Sequence, residues 1–204
     1  MRTLSEWESK AALGPGLPRP REALTSSADE ATRFAELLGR PVVAKASGPS
    51  HKTEAGLVRA GLDVEGVARC WEELAHAGDG TVLIAEQVSA DFELIAGGLR
   101  DPQFGALVSI GLGGVAAEVF RDVAFLLAPP EDGELEGALA TLRCAPLLDG
   151  FRGKPAVDRA ALRSIVDAIA NLLVEDASVV EVDCNPVLVS SGRPVVSDAL
   201  VVRR

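Results

Sequence analysis

Lys45 and His51 stand six residues apart in the stretch KASGPSHKTEAG, which runs from an apolar segment into a Gly/Pro/Ser loop. A lysine ammonium is a compact positive charge suited to phosphate. A histidine with an unperturbed pKa of about 6.5 is largely neutral at pH 7, and its imidazole can carry a group covalently. Each residue also has a plainer reading. Lys45 ends the strand-like PVVAK and can snorkel into water, and His51 can be a solvated loop histidine. His76, the other histidine, falls near the end of a helical stretch, where the helix dipole favours it. It is assigned no chemistry.

A second set of groups lies near the C-terminus, in EVDCNPVLVSSGRPVVSDA. A hairpin turning at Ser191–Gly192 sets Asn185 opposite Asp198, about 5 Å apart, with Asp183 one step along the same face. Hard oxygen ligands of this kind suit Mg²⁺, which takes one or two protein oxygens together with phosphate and water. On the hairpin alone, a solvated polar pair is the commoner reading. Glu86 closes the apolar VLIAE, and backbone beside it could read an adenine edge. GLGG, residues 111–114, sits between strand-like segments and is expected neither as a dinucleotide fingerprint nor as a P-loop. It reads as a tight turn or as backbone that approaches a phosphate. Glu118 and Asp122, in EVFRD, are expected at a strand end and turn, where solvation alone would account for them.

The elements that must position these groups follow from periodicity and punctuation. Leu4 to Leu13 is helical in character and stops at GPGLPRP. Ser27 and Glu30 form a capping-box pattern ahead of an apolar face at Phe34, Leu37 and Leu38, with Gly39 to end the helix. PVVAK, LVRAGLDV and TVLIAEQV read as strands. Asp63 caps a helix reaching Ala77, so the first half reads as helix, strand, loop, strand, helix, strand. ELIAGGL, ALVSIGLGG, VAAEVF and VAFLLAP suggest an antiparallel meander. An acidic helix over EDGELEGALATL and a loop at DGFRGKPAVD come next. Asp158 then caps a helix with the stripe Leu162, Ile165, Val166, Ile169, Leu172 and Leu173.

The 204 residues suffice for one sizeable core or two small lobes. The net charge of −10 argues against nucleic acid or an anionic membrane as the main partner. No apolar run approaches the ~18 residues of a membrane span, and the charged MRTLSEWESK has no signal-peptide core. Cys70, Cys144 and Cys184 are widely spaced and odd in number, so reduced thiols and a cytoplasmic location are expected.

Taken in order, LSEWESK, PVVAK, SHKTEAG, DPQFG, GLGG, EVFRDVAFLLAP, GFRG, EVDCNPV and VVSDA resemble the β subunit, or β-like domain, of ADP-forming acyl-CoA (acetyl-CoA) synthetases. This is an ATP-grasp family related to the succinyl-CoA synthetase β subunit. The resemblance implies an α+β ATP-grasp fold holding ATP or ADP between two lobes. Residues 20–90 would form a small lobe, and 91–204 with 1–19 a larger one. It implies that Lys45 binds nucleotide phosphates, that Glu86, Gln87 and Val88 hold adenine, and that Glu93 is a nearby acid of the nucleotide site. Asn185 and Asp198 match the family's Mg²⁺ ligands, with Asp183 beside them. His51 matches the histidine that carries phosphate before ADP receives it.

In such enzymes acyl-CoA and phosphate give acyl phosphate and CoA, and a histidine on an α part relays the phosphoryl group. The CoA-binding and α-type phosphohistidine domains are absent from these residues. A separate α subunit is therefore the expected partner, bringing CoA and a small carboxylic acid. Two departures from the family pattern fall near His51. The loop is two residues shorter than the usual SPDxLHK version, and Gly56–Leu57 replaces a glycine pair. Two other readings remain at this stage. A free-standing ATP-grasp carboxylate ligase would not need His51, and a nucleotide-binding regulator would not turn over.

Overall fold

The computed structural model describes residues 1–48 and 56–204. In chain order the elements are β1 (Arg2–Thr3), α1 (Glu6–Ala12), β2 (Glu22–Thr25), α2 (Ala28–Leu38), β3 (Val42–Ala46), β4 (Val58–Leu62), α3 (Val64–Ala77) and β5 (Val82–Glu86). They continue as β6 (Phe92–Asp101), β7 (Gly105–Leu112), α4 (Val115–Phe120), β8 (Val123–Leu127), α5 (Glu134–Thr141), α6 (Ala145–Leu148), α7 (Arg159–Glu175), β9 (Val179–Ser190), β10 (Arg193–Val196) and β11 (Leu200–Arg203). Two compact units share the chain. The smaller comprises Ser5–Trp7 and Pro20–Val88; the larger comprises Met1–Leu4, Glu8–Arg19 and Ser89–Arg204.

The smaller unit is a four-stranded antiparallel sheet in the order β2-β5-β3-β4, with α2 and α3 packed on it. Local chemistry sets the helix starts. Ser27 Oγ accepts the Glu30 N–H at 3.2 Å, and Asp63 Oδ1 accepts the Gly66 N–H at 2.7 Å, each satisfying a donor that the first turn leaves open. Gly39 closes α2 in the left-handed conformation at φ 63°. Ala31, Ala35 and Leu38 of α2 and Val67 and Leu74 of α3 fill the core with Val42, Ala44, Val82 and Ile84.

The larger unit is a seven-stranded antiparallel sheet. Its main path is β1-β11-β9-β6-β7-β8, and β10 pairs with β9 beside it. Asp158 Oδ1 caps α7 through the Ala161 N–H at 3.0 Å. Leu162, Ile165, Val166, Ile169 and Leu173 are fully buried, while Leu172 is half-buried on the edge of the stripe. Each such burial stabilises by about 1.5–3 kcal/mol. Gly98 lets α7 lie close on β6, because a Cβ there would meet Ile169 Cγ2 and Leu173 Cδ1 at 2.6 Å. Cys70, Cys144 and Cys184 are all free and buried.

One segment differs from the sequence expectation, and two short strands lie where no element was expected. Glu22–Thr25, just after the proline-rich joint, is a strand on β5, held where Thr25 Oγ1 donates to Val82 O at 2.8 Å and accepts from Trp71 Nε1 at 3.0 Å. Arg2–Thr3 adds a two-residue strand to β11. VAAEVF is a helix rather than a strand, so GLGG opens a helix after all. Gly111 and Leu112 end β7, Gly114 is the cap residue before α4, and Arg121 closes that helix in the left-handed conformation at φ 47°. A short apolar run of six residues does not by itself distinguish strand from helix, and the residues that bracket it, Gly114 and Arg121, decide it.

Candidate functional site

In the smaller unit Lys45 sits near the end of β3, paired with Leu83 and with Val58. Its side chain does not snorkel. The residue is 6% exposed, and Nζ donates to Glu6 Oε1 at 2.8 Å, with Glu6 itself 3% exposed. Glu86 ends the adjacent strand β5 opposite Val42, three positions along from Lys45, so the two side chains stand at different ends of the strand pair. Its carboxylate is clasped by Arg21 Nε at 3.0 Å and Arg40 Nη1 at 2.5 Å. The Arg21 hydrogen bond and the Arg40 charge hold this carboxyl below the ordinary range despite partial burial.

The backbone N–H groups of Glu86 and Gln87 already donate to Arg21 O at 2.9 Å and Pro41 O at 3.1 Å. Gln87 Oε1 accepts the Gly61 N–H at 2.6 Å. Val88 is half-buried just beyond the strand. The strand end is thus fixed by its own side chains. His51 lies outside the described residues.

In the larger unit Glu93 pairs with Leu188 near the start of β6. Its carbonyl accepts the Gly113 N–H at 2.8 Å, and its carboxylate lies over Gly114, where a Cβ would meet Oε2 at 3.1 Å. The structure therefore joins Glu93 to GLGG, a pairing of residues twenty positions apart that no local pattern announces. Asp122 is not solvated. It is 7% exposed, and its carboxylate accepts the backbone N–H groups of Arg143 at 2.8 Å and Cys144 at 2.7 Å. Its burial opposes ionisation, and these two donors outweigh it and hold the carboxyl below the ordinary range.

The register of the terminal hairpin follows the turn. Arg193 pairs with Ser190 and Val196 with Val187 along β10, and Leu200 pairs with Asp183 and Val201 with Val182 along β11. The same register on both sides of residues 197–199 sets Asp198 opposite Asn185. On the other side of β9 the ladder to β6 shifts by one residue between Leu94↔Val187 and Ala96↔Cys184. Burial accordingly passes from Val182 and Cys184 to Val187 and Val189, leaving Asn185 exposed at the bulge.

Asp183 lies two residues before Asn185, and burial, then the Glu181 charge, raises its carboxyl above the ordinary range. A cation would relieve both effects, and carboxylate and carboxamide oxygens are the donor set that Mg²⁺ takes. Among the described residues no three His, Cys, Asp or Glu side chains gather as a ready-made cage. No helix among them is long and apolar enough to cross a membrane.

Besides Glu6, two further buried polar residues of α1 escape sequence reasoning. Lys10 is fully buried and donates to Ser197 O at 2.9 Å, and Ser9 Oγ accepts the Val201 N–H at 3.0 Å. With Glu6 and Leu13 they stand at the i, i+3, i+4 and i+7 positions of one helix face. That spacing was the available signal, hidden because three of the four side chains are polar.

Two antiparallel sheets flanked by helices in this order are the fold of an ATP-grasp domain, and the family model of the ATP-grasp domain matches residues 1–202. The β subunit of acetate–CoA ligase [ADP-forming] II from Pyrococcus furiosus is 34% identical over 97% of this chain and 90% of its own length. The 4-hydroxybutyrate–CoA ligase [ADP-forming] of Nitrosopumilus maritimus is 34% identical over 85% of this chain, which spans only 26% of that longer protein. Acetyl-coenzyme A synthetase 1 of Ca. Korarchaeum cryptofilum, solved with coenzyme A and Mg-AMPPCP, superposes with a TM-score of 0.83 at 34% identity, covering 98% of this chain and 92% of that one. The chain belongs to the ATP-grasp family, among the β subunits of ADP-forming acetate–CoA ligases.

Proposed function

We propose that the chain is the nucleotide-handling half of an ADP-forming acyl-CoA synthetase of the acetate–CoA ligase type. It would work with an α-type partner that carries the CoA-binding and phosphohistidine domains. The observation that carries this reading is the match to a β subunit over 97% of this chain and 90% of the relative. The Korarchaeum structure supports the relay, for its phosphohistidine segment points towards the nucleotide binding site.

In this reading Lys45 places its ammonium on the nucleotide phosphates, kept in position by Glu6. Glu86, Gln87 and Val88 present the strand end to adenine, and Glu93 lines the nucleotide site. Asn185 and Asp198, with Asp183 beside them, would hold Mg²⁺, which neutralises phosphate charge and orients the phosphates when bound. The partner's phosphohistidine passes its phosphoryl group to His51. A β-phosphate oxygen of ADP then takes it, the N–P bond breaks, and ATP and neutral imidazole remain. Apart from the covalent relay, the work is positioning plus charge stabilisation, which suits a lysine ammonium and oxygen ligands.

Isothermal titration of ADP and ATP, with and without Mg²⁺, tests this on wild type, Lys45→Ala and Asp198→Ala. Magnesium-dependent binding that both variants lose is the expected result. Undiminished binding in both variants would overturn the residue roles.

A further inference from the structure

We propose that Lys10 is a positioning residue for the metal-bound nucleotide: its ammonium fixes the backbone at Ser197, so that Asp198 stands opposite Asn185. The proposal rests on the reading of Asn185 and Asp198 as metal ligands.

The geometry is specific to one break in the sheet. The β9–β10 ladder ends at Val196↔Val187, and the β9–β11 ladder begins at Leu200↔Asp183. Residues 197–199 between them are outside any strand. Within that gap Ser197 is tied on two sides: its N–H donates to Pro186 O at 3.0 Å, and its carbonyl accepts Lys10 Nζ at 2.9 Å. Ser197 immediately precedes Asp198, and Pro186 immediately follows Asn185. The two candidate ligands therefore each adjoin a residue that is clamped to the other strand. Ser9, one residue before Lys10, takes the Val201 N–H on the far side of the gap at 3.0 Å. Helix α1 thus holds both margins of the interruption.

Packing alone does not call for an ammonium here. Lys10 is 0% exposed, and a methionine would occupy similar volume without burying a charge. Methionine would supply no donor to the Ser197 carbonyl. Removing the cation should loosen the ligands' placement while leaving the smaller unit's Lys45 and Glu86 in place.

The test compares ADP affinity with Mg²⁺ and with EDTA, by titration calorimetry on the full chain. The variants are Lys10→Met and Lys10→Gln, whose amide is one atom too short to span to Ser197; thermal melting shows which of them fold. Both are expected to keep metal-free ADP affinity close to wild type and to lose about tenfold or more of the Mg²⁺-dependent gain. A folded variant that keeps the full gain overturns the proposal, as does an equal loss with and without metal, which would mark a merely structural lysine.

Hydrogen exchange of wild type supplies a reading independent of either variant's folding. Mg-ADP should slow exchange across residues 183–201 more than metal-free ADP does, and equal protection would overturn the proposal. A wild type that binds no ADP overturns the nucleotide reading instead. One that binds ADP without any gain from Mg²⁺ overturns the ligand assignment, and this inference with it.

Discussion

Lys45 Nζ lies 2.8 Å from Glu6 Oε1, and the two side chains are 8% and 2% exposed. This is a buried ion pair within the smaller unit. Glu6→Ala removes the carboxylate that the buried Lys45 ammonium donates to, and should destabilise by about 3–5 kcal/mol. Replacing both, as Glu6→Leu with Lys45→Met, should recover most of that loss, because both buried charges are then removed together. Urea unfolding of the two singles and the double checks it. Equal loss in the double variant would mean that the pair's packing, rather than its charge, is what matters.

Asp122 links β8 to the Arg143–Cys144 turn through two backbone donors to one buried carboxylate. Its folded pKa is depressed, so the stabilisation is fully present above the unfolded value of about 3.9 and is lost as pH falls through the folded value. Asp122→Ala should cost about 1.5–3 kcal/mol at pH 7, the range for hydrogen bonds to a charged group. The gap to wild type should close as the pH falls below about 4. Denaturant midpoints at pH 7 and at a series of acidic values would show it.

Gly113 crosses β6 at backbone contact. A Cβ there would lie 2.8 Å from the carbonyl carbon and oxygen of Leu94. Strand backbone cannot yield as a flexible side chain would, so Gly113→Ala should cost about 1–3 kcal/mol and disturb Glu93 beside it. Gly137→Ala is the control, since a Cβ there meets nothing within 4 Å. Thermal melts of the two should separate clearly.

His51→Ala distinguishes binding from relay. Under the proposed function, ADP affinity stays near wild type while phosphoryl transfer from an α partner falls by at least about a thousandfold, the scale of losing a covalent carrier. Transfer assays with radiolabelled phosphate would read it. Retained transfer would favour a route that bypasses this histidine.

The parts of the fold legible in the sequence are those written in local chemistry. Ser27, Asp63 and Asp158 cap their helices as their spacing indicates, and the Ser191–Gly192 turn sets a register that persists across two strands. What stayed hidden depends on distant partners. Lys10 looks like a surface residue until Ser197, 187 positions away, supplies its acceptor. Asp122 looks solvated until Arg143 and Cys144 fold over it. The β2 strand is four residues long after a proline-rich joint, and only β5 makes it a strand. VAAEVF shows the converse: its short apolar run reads as a strand, but Gly114 and Arg121 bracket it as a single short helix.

The three cysteines are all buried, which should make the folded chain slow to react with thiol reagents. Cys144 and Cys184 are each pushed up to about 12, chiefly by burial, and the Cys70 thiol is raised for the same first reason. Alkylation proceeds through an accessible thiolate, and the folded chain presents almost none. A single cysteine placed on the surface, for example at Phe104, which is 65% exposed, would therefore take up a fluorophore or spin label alone. Distances and motions could then be followed by spectroscopy without first stripping the native cysteines from the protein.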